Sequence, residues 1–391
     1  MRKMTSRERV IATLNHQQPD MVPLSIGSSS NDQFTRVALQ KFAKAFNIGP
    51  YEEIVTWRTV QTVVTPPQVQ EMYNADMRML RPGPRDNPFP DYLNPDDGTV
   101  IDAMGVKLAP VLYYYDVVAR PLEGIITMDD VKNHKWPDPY DKGITRGLRE
   151  EALNYIANTD YALVTDYLSL GPLEGALWVR GWEDFMCDLY LDPKLAEAIM
   201  DKVVEYWIGM LDQMLSAVGD LIHIVCCNDD LGMQDRALIP RDLYHKHVRK
   251  YAQRVYDFVK TKTNAKLSHH SCGSCYELIP ELIDMGVQIL NPVQTSAKNM
   301  EPERLKREFG KDLCFWGGLD TQKILEFATP EEIDLETEHL IRVFGEGGGY
   351  LPGPSHNIQA TVDPQNVHAM FAGFNKYRTM SFAKDELNAE I

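Results

Sequence analysis

A strand–loop–helix–strand unit occupies residues 221–270, which read LIHIVCCNDDLGMQDRALIPRDLYHKHVRKYAQRVYDFVKTKTNAKLSHH. Its first seven residues form an apolar run that predicts a strand, and a second short strand is predicted from Ala265. After Pro240, apolar side chains recur every three or four residues, as on the buried face of a helix: Tyr244, Val248, Tyr251, Val255 and Phe258. Two strands joined by a helix are the building unit of a parallel sheet with helices packed outside it.

The same alternation continues in both directions from this unit. Further strands are predicted at residues 21–26, 161–168, 287–290, 313–316 and 349–351, with an eighth candidate at 76–81. The helices between them are predicted to begin after a cap at Ser6 and near Pro193, Tyr276, Pro302, Thr321, Pro330 and Pro364. No glycine-rich phosphate loop follows any strand, as an open nucleotide-binding sheet would require. The fold class is therefore α/β, and the chain is predicted to form a (β/α)8 TIM-type barrel.

Residues 81–142 break this regular pattern. The segments RPGPRDNPFP (81–90) and WPDPYDKG (136–143) are dense in proline, glycine and aspartate, and β-like runs lie between them, notably at 106–118. Such a composition is typical of turns and hairpins. We predict that residues 1–391 form a single barrel domain, with 81–142 as a hairpin and loop insertion after the first strand that shapes the barrel mouth.

The composition limits the function classes. A net charge of −16 and a pI near 5.1 argue against a nucleic-acid binder. Six cysteines in 391 residues do not indicate a disulfide framework, and no apolar run is long enough to be a signal core or to cross a membrane. We expect a cytoplasmic enzyme with a small-molecule substrate, and a homodimer stays open as its assembly.

In a TIM barrel, ligand sites lie at the carboxyl ends of the strands. His270 and Cys272 stand at such an end and, being two residues apart on an extended chain, point to the same side. Imidazole and thiolate are zinc ligands, so the pair predicts a zinc site whose third ligand is His356 or Cys275. The pair Cys272 and Cys275 also fits a redox dithiol, although the thioredoxin-like surroundings are missing.

Polar residues follow the other strands at equivalent positions. Asp229 and Asp230 are candidates for proton transfer, and the alternative for each is to cap a turn. Five further residues are predicted to bind substrate, with turn formation as the alternative for several of them: Tyr167, Asn228, Asn291, Gln294 and Asn357.

Four stretches together resemble the uroporphyrinogen decarboxylase superfamily: RERVIATLNHQQPDMVP (7–23), RGWEDFMCDLY (180–190), GGLD (317–320) and PSHNIQ (354–359). The resemblance extends over nearly the whole chain and implies a barrel enzyme. Decarboxylases of this superfamily bind the carboxylates of a tetrapyrrole through paired arginines just after the first strand. Here that segment reads GSSSNDQ (27–33), and the nearest arginine is Arg36.

A second branch of the superfamily consists of corrinoid-dependent methyltransferases, which bind zinc through His-x-Cys and a later cysteine. His270 and Cys272 match the first two positions, whereas the later segment carries His356. The resemblance thus implies a zinc-dependent methyltransferase that exchanges a methyl group between methylcobalamin, or a corrinoid protein, and a thiol or methyl ether. We expect the corrinoid on a partner protein, because no Asp-x-His-x-x-Gly motif occurs in the chain.

Two alternatives remain for the function. One is a metal-free decarboxylase or lyase acting on a small acid, with His356 as its acid–base group. The other is a non-catalytic protein that binds a corrinoid or a tetrapyrrole.

Overall fold

The described part of the chain contains fourteen strands, seven of which form one parallel sheet. The computed structural model describes residues 3–86 and 92–382; residues 87–91 of the predicted insertion, and 1–2 and 383–391 of the predicted domain, lie outside the described residues. The strands are β1 (Phe34–Thr35), β2 (Val55–Trp57), β3 (Thr62–Val63), β4 (Met77–Leu80), β5 (Tyr92–Leu93), β6 (Val100–Ile101), β7 (Lys107–Val111), β8 (Tyr114–Ala119), β9 (Ala162–Thr165), β10 (Ile224–Asn228), β11 (Lys266–His270), β12 (Ile289–Val293), β13 (Cys314–Leu319) and β14 (Tyr350–Pro354).

The main sheet has the order β4-β9-β10-β11-β12-β13-β14, and every neighbouring pair in it is parallel. Its strands therefore follow one another in chain order, which is the arrangement of a TIM-type barrel. This confirms the predicted fold, including the eighth candidate strand, which is β4.

The predicted first strand, residues 21–26, closes the barrel without forming a regular strand. Residues 22–26, which we call the seam segment, are buried between β14 and β4, and Ser25 N–H donates to Pro352 O at 3.4 Å. Because the N–H and C=O of one residue in an extended chain point the same way, the nitrogens of Pro352 and Pro354 also face the seam segment, with no hydrogen to donate. These prolines explain why no continuous ladder forms here.

The helices are α1 (Ser6–Leu14), α2 (Arg36–Phe46), α3 (Pro67–Met72), α4 (Met128–Asn133), α5 (Leu148–Asn158), α6 (Pro172–Arg180), α7 (Trp182–Leu191), α8 (Pro193–Val218), α9 (Arg241–Leu243), α10 (Arg249–Lys262), α11 (Ile279–Asp284), α12 (Pro302–Phe309), α13 (Ile324–Phe327), α14 (Pro330–Phe344) and α15 (Pro364–Tyr377). A π-helical turn, Tyr244–Val248, joins α9 to α10.

The cap of α1 is Thr5 and not the predicted Ser6, because Thr5 still has an extended backbone and its hydroxyl accepts from Glu8 N–H. The helix predicted near Thr321 begins three residues later, as α13. No helix of the described residues is long and apolar enough to cross a membrane.

Between β4 and β9 the chain forms a separate antiparallel sheet, β5-β6-β7-β8. The Tyr114 hydroxyl of β8 donates to Gln359 Oε1 at 2.6 Å, and Tyr115 N–H donates to Thr59 O at 2.8 Å. These bonds attach the sheet to the loops that follow β14 and β2, and so to the same end of the barrel.

Inside the barrel, alternate strand residues change from apolar to polar along the strand direction. In β10 the inward residues are Ile224, Cys226 and Asn228, of which the first two belong to a buried apolar cluster and the third lines a cavity. Val10 and Leu14 of α1 complete the apolar cluster and close this end of the barrel. The polar positions therefore collect at the opposite, carboxyl end of the strands.

Candidate functional site

A cavity of about 310 Å³ opens at the carboxyl ends of the barrel strands. This is the end at which TIM-type barrels bind their ligands. Six of the predicted site residues line it: Tyr167, Asn228, Asp230, His270, Cys272 and His356. The other four are buried behind its wall: Asp229, Asn291, Gln294 and Asn357.

Three candidate metal ligands meet on the cavity wall. His270 Nε2, Cys272 Sγ and a carboxylate oxygen of Asp230 all lie within 4.8 Å of one another. The distance is 3.4 Å from Sγ to Nε2 and 3.9 Å from Nε2 to Asp230 Oδ1. Two ligands of a tetrahedral zinc ion are about 3.5 Å apart, given Zn–N and Zn–S bonds of about 2.0 and 2.3 Å. We call Asp230, His270 and Cys272 the metal group.

The pairing of two strands brings the metal group together. β10 and β11 are parallel neighbours in which Asn228 is paired with His270. The residues two positions further along each chain, Asp230 and Cys272, are therefore neighbours as well, and Cys272 N–H donates to Asp230 Oδ1 at 2.8 Å. Burial, Asp230 and Glu174 together raise the pKa of the Cys272 thiol well above its ordinary value.

Asn291 and Tyr167 orient the imidazole of His270. The Asn291 side-chain oxygen accepts from His270 Nδ1 at 2.7 Å and from the Tyr167 hydroxyl at 3.1 Å. Because Nδ1 then carries the proton, Nε2 presents its lone pair to Cys272 and Asp230. Burial lowers the pKa of His270, which favours the neutral form that binds metals. Asn291 and Tyr167, two of the five residues predicted to bind substrate, thus support a candidate metal ligand: Asn291 through its hydrogen bond to His270, and Tyr167 through its ring contact with His270 and its bond to Asn291.

Two glycines let the loops after β10 and β11 touch through their backbones. A Cβ on Gly232 would lie 2.6 Å from Cys272 O, and a Cβ on Gly273 would lie 2.6 Å from Met233 O. Gly273 also has a φ of 74°, which favours glycine. The close approach holds Asp230 and Cys272 at a fixed separation.

The metal group does not contain the predicted third ligand, His356, or its alternative, Cys275. His356 follows β14, which is three strands away from β11, and it lines the same cavity. Burial and the nearby His270 lower the pKa of His356 to about 4. Cys275 is completely buried. Asp230, which follows the strand next to β11, is a further candidate for the third ligand, and His356 and Cys275 stay predictions.

The two predicted catalytic aspartates face opposite ways. Asp229 points outward, where its carboxylate accepts from the N–H groups of Leu173 and Glu174 at 3.2 and 2.7 Å. It thereby caps the first turn of α6, which was the alternative for this residue. Burial raises the pKa of Asp229 to about 7. Asp230 points inward and belongs to the metal group.

The remaining predicted residues have separate contacts. The Asn228 amide donates to Glu174 Oε2 at 3.0 Å inside the cavity. Gln294 Oε1 accepts from Gly273 N–H at 2.7 Å and so supports the loop that carries Cys272. Asn357 Oδ1 accepts from Gln33 N–H at 3.2 Å, which joins the loop after β14 to the loop after the seam segment.

Sequence reasoning missed several cavity residues, including Ser30, Trp57, Arg81, Asp166 and Glu174. Burial and the Asp230 carboxylate raise the pKa of Glu174 well above its ordinary value. In the sequence, Glu174 is an ordinary acidic residue in the first turn of a helix. Arg81 and Asp166 directly follow β4 and β9, so their positions at strand ends were the available signal.

A second cavity, of about 420 Å³, adjoins the first. The two share Trp57 and Leu168, and Val100 and Leu108 of the antiparallel sheet form part of the second cavity's wall. Trp178 and Tyr206 add aromatic surface to it. The sheet inserted between β4 and β9 therefore encloses space next to the metal group.

Comparison with known proteins gives sequence relatives of one kind. The model of the family "Uroporphyrinogen decarboxylase (URO-D)" matches residues 96–377. A uroporphyrinogen decarboxylase of Pseudoalteromonas atlantica is 22% identical over 300 residues, which are 71% of this chain and 76% of that protein. One of Psychromonas ingrahamii is 24% identical over 280 residues, which are 68% of this chain and 73% of that protein.

Among solved structures, a methyltransferase from Methanosarcina mazei is similar over almost its full length. The likeness covers 96% of this chain and 99% of the methyltransferase, with a TM-score of 0.66 and 15% sequence identity. At this identity the likeness shows a shared fold.

Proposed function

Because the chain belongs to the uroporphyrinogen decarboxylase family, we propose that it is a zinc-dependent methyltransferase, which exchanges a methyl group between a corrinoid and a small thiol or methyl ether. The observation that carries this proposal is the metal group at the barrel mouth. Similarity in fold to the Methanosarcina methyltransferase supports it.

The chemistry and geometry of the metal group support zinc as the ion that it would bind. Thiolate, imidazole and carboxylate are all zinc ligands, and three protein ligands with one free position are typical of catalytic zinc. The separation of 3.4 Å between Cys272 Sγ and His270 Nε2 agrees with tetrahedral ligation, and Asp230 Oδ1 lies 3.9 Å from Nε2, on the same side of the cavity wall. Asn291 also supplies the outer contact that metal-binding histidines commonly have.

Each part of the cavity has a role in this proposal. Bound zinc would make a substrate thiol available as thiolate, or polarise an ether oxygen. Asn291 and Tyr167 hold His270 in its ligating orientation. Glu174 and Asn228 lie beside Asp230 and offer hydrogen-bonding groups to a substrate. The antiparallel sheet limits the access of water from one side, and the corrinoid, on a partner protein, would approach the open mouth.

Decarboxylation is the second candidate, favoured by the names of the sequence relatives. A tetrapyrrole polycarboxylate needs several cations, because buried unpaired carboxylates are costly. Arg36, the nearest arginine after the seam segment, is paired with Glu53 and is not among the residues lining the cavity. Conversion of uroporphyrinogen by the purified protein would support this alternative over methyl transfer.

The test of the metal group is zinc content, measured by atomic emission on the purified wild type and on variants. We expect about one zinc per chain in the wild type, and its loss in His270→Ala, Cys272→Ala and Asp230→Asn. His356→Gln and Cys275→Ser should keep the metal, as should Cys187→Ser, a control at an exposed cysteine.

Two results would change the proposal. A wild-type protein that contains no zinc and takes none up in titration contradicts it. Retention in Asp230→Asn together with loss in His356→Gln would make His356 the third ligand. If zinc binds, turnover of methylcobalamin with thiol acceptors, followed by its visible spectrum, tests the transfer itself.

A further inference from the structure

Arg81 directly follows β4 and lines the cavity of the metal group. Among the described residues that line this cavity, it is the single lysine or arginine. Its side chain is half-buried, and no acceptor on a described residue lies within hydrogen-bond or ion-pair distance of its guanidinium. Arg180, by comparison, is buried against Asp184 and Asp188.

The carboxylates nearest to Arg81 do not satisfy it. Burial raises the pKa of Asp166 and of Glu151, and the positive charge of Arg81 opposes that rise in both. Asp166, however, already accepts from Ser30 N–H, from the Ser30 hydroxyl and from Tyr167 N–H. The guanidinium of Arg81 therefore keeps donors for a ligand, and its planar fork is suited to a carboxylate.

A second free donor lies on the adjacent strand end. The Ser169 hydroxyl is buried, lines the same cavity and has no hydrogen-bond partner among the described residues. Ser169 lies in the loop that follows β9, the neighbour of β4, so Arg81 and Ser169 belong to adjacent strand ends and line the same cavity. Buried polar groups normally have a partner, which points to a polar ligand here.

The metal group lies further along the same rim. β9 separates β4 from β10, and since neighbouring strands are about 4.8 Å apart, the ends of β4 and β10 are about 10 Å apart. A small acid with its carboxylate at one end and a methylated heteroatom at the other would span the gap between Arg81 and the metal group, which line the same cavity.

We propose that Arg81, with Ser169, binds the carboxylate of a small methylated acid whose oxygen or sulfur reaches the metal group. This inference rests on the proposed function and specifies its substrate class. The subsite differs in position from the segment after the first strand, because it lies at the end of β4.

Calorimetric titration tests the subsite, with 4-methoxybenzoate as the probe and 4-methoxybenzamide as its neutral counterpart. For Arg81→Gln we expect a 10- to 100-fold weaker affinity for the carboxylate, about 1.4 to 2.8 kcal/mol, and unchanged affinity for the amide. Arg81→Lys should recover part of the loss, because it keeps the charge without the fork. Arg342→Gln, at an exposed arginine, is the control and should not change either affinity.

Repeating the titration after metal removal with a chelator separates this inference from the zinc proposal. The preference for the carboxylate over the amide should persist in the metal-free protein, whether or not the protein contained zinc before the treatment. The assignment is overturned if the wild type binds both probes with equal affinity, or if Arg81→Gln weakens the affinity for both probes equally. It is also overturned if neither 4-methoxybenzoate nor 3-(methylthio)propanoate binds. Melting temperatures are measured first, and Arg81→Lys carries the comparison if Arg81→Gln does not fold.

Discussion

The lone pair of His270 Nε2 faces the metal group because Asn291 accepts the proton-bearing Nδ1. Removing that acceptor frees the ring to rotate and to change tautomer. We expect Asn291→Ala to bind zinc about 10- to 100-fold more weakly, as is common when an outer contact of a ligating histidine is lost. Competition with a chromophoric chelator measures this.

Tyr167→Phe is the matched variant for Asn291→Ala. It removes the other hydrogen bond to the Asn291 oxygen but leaves the bond to His270 intact. Its effect on zinc affinity should be clearly smaller. Equal affinities of wild type and Asn291→Ala would show that Asn291 does not orient the ligand.

A second residue-scale prediction concerns His223, which precedes β10. Its Nδ1 accepts from Leu163 N–H at 3.1 Å, and burial together with Arg7 lowers its pKa to about 4. Below pH 6.5 the unfolded chain takes up a proton that the folded chain refuses, so stability falls as the pH drops from about 6.5 to 4. With allowance for its partial exposure, this contributes up to about 2 kcal/mol.

The variant His223→Asn tests this, because its side-chain oxygen can accept the same hydrogen bond but does not titrate. Urea unfolding at several pH values should show a smaller loss of stability in the variant than in the wild type over that window. Parallel pH profiles would mean that His223 is protonated equally in both states.

The residues of the site were only partly predictable. His270 and Cys272 could be found because the barrel rule and a two-residue spacing both apply to them. Which of Asp229 and Asp230 faces the cavity could not be decided without knowing which side of β10 faces the barrel interior. The alternation of inward residues, Ile224, Cys226 and Asn228, continues to Asp230 and would have favoured Asp230. His356 was preferred as the third ligand because the resemblance implies a ligand in that later segment, although the chain order of a barrel places the end of β10 beside β11.

At the scale of elements, the loops after β10 and β11 depend on backbone contact between Gly232 and Gly273. We expect Gly232→Ala to fold but to bind zinc at least about 10-fold more weakly, because its Cβ would push the Cys272 carbonyl away from the loop that carries Asp230. Zinc titration measures the affinity, and far-UV circular dichroism checks the fold.

The control for Gly232→Ala is Gly353→Ala, since a Cβ on Gly353 meets nothing closer than Ser25 O at 3.6 Å. This variant should keep the affinity of the wild type. The same affinity in Gly232→Ala would show that the two loops adapt without moving the ligands.

Elements were predictable where one physical requirement dominated. Strands buried on both faces gave apolar runs, and β9 to β14 were found in this way. The seam segment is equally apolar but does not form the regular hydrogen bonds of a strand. The reason is that its neighbour β14 contains Pro352 and Pro354, which have no N–H to donate. β5 to β8 were recognised only as a hairpin region, because β5 and β6 have two residues each and β7 and β8 are partly exposed.

At the scale of the whole molecule, Asp76 joins an early and a late segment of the chain at one end of the barrel. Its carboxylate accepts from Arg9 of α1, from Arg378 after α15 and from Leu24 N–H of the seam segment. The charged side chains of Asp76, Arg9 and Arg378 are at most 5% exposed. Asp76→Ala should therefore cost about 3–5 kcal/mol of unfolding free energy, because it leaves buried guanidinium groups without their shared partner.

Urea unfolding measures this cost, and Glu338→Ala is the comparison. Glu338 pairs with Arg342 at the surface, so its loss should cost less than about 1 kcal/mol. A similar small cost for Asp76→Ala would mean that Arg9 and Arg378 find other acceptors.

The prolines beside the seam segment have a consequence outside the single molecule. An open sheet edge can recruit a strand from another chain, and this is how many β-proteins begin to aggregate. If the seam segment detached during synthesis or heating, β14 would be uncovered. Pro352 and Pro354, however, have no N–H groups with which to bind a strand of another chain. The same residues that deny the barrel a regular closure would make its exposed edge a poor template for assembly into fibres.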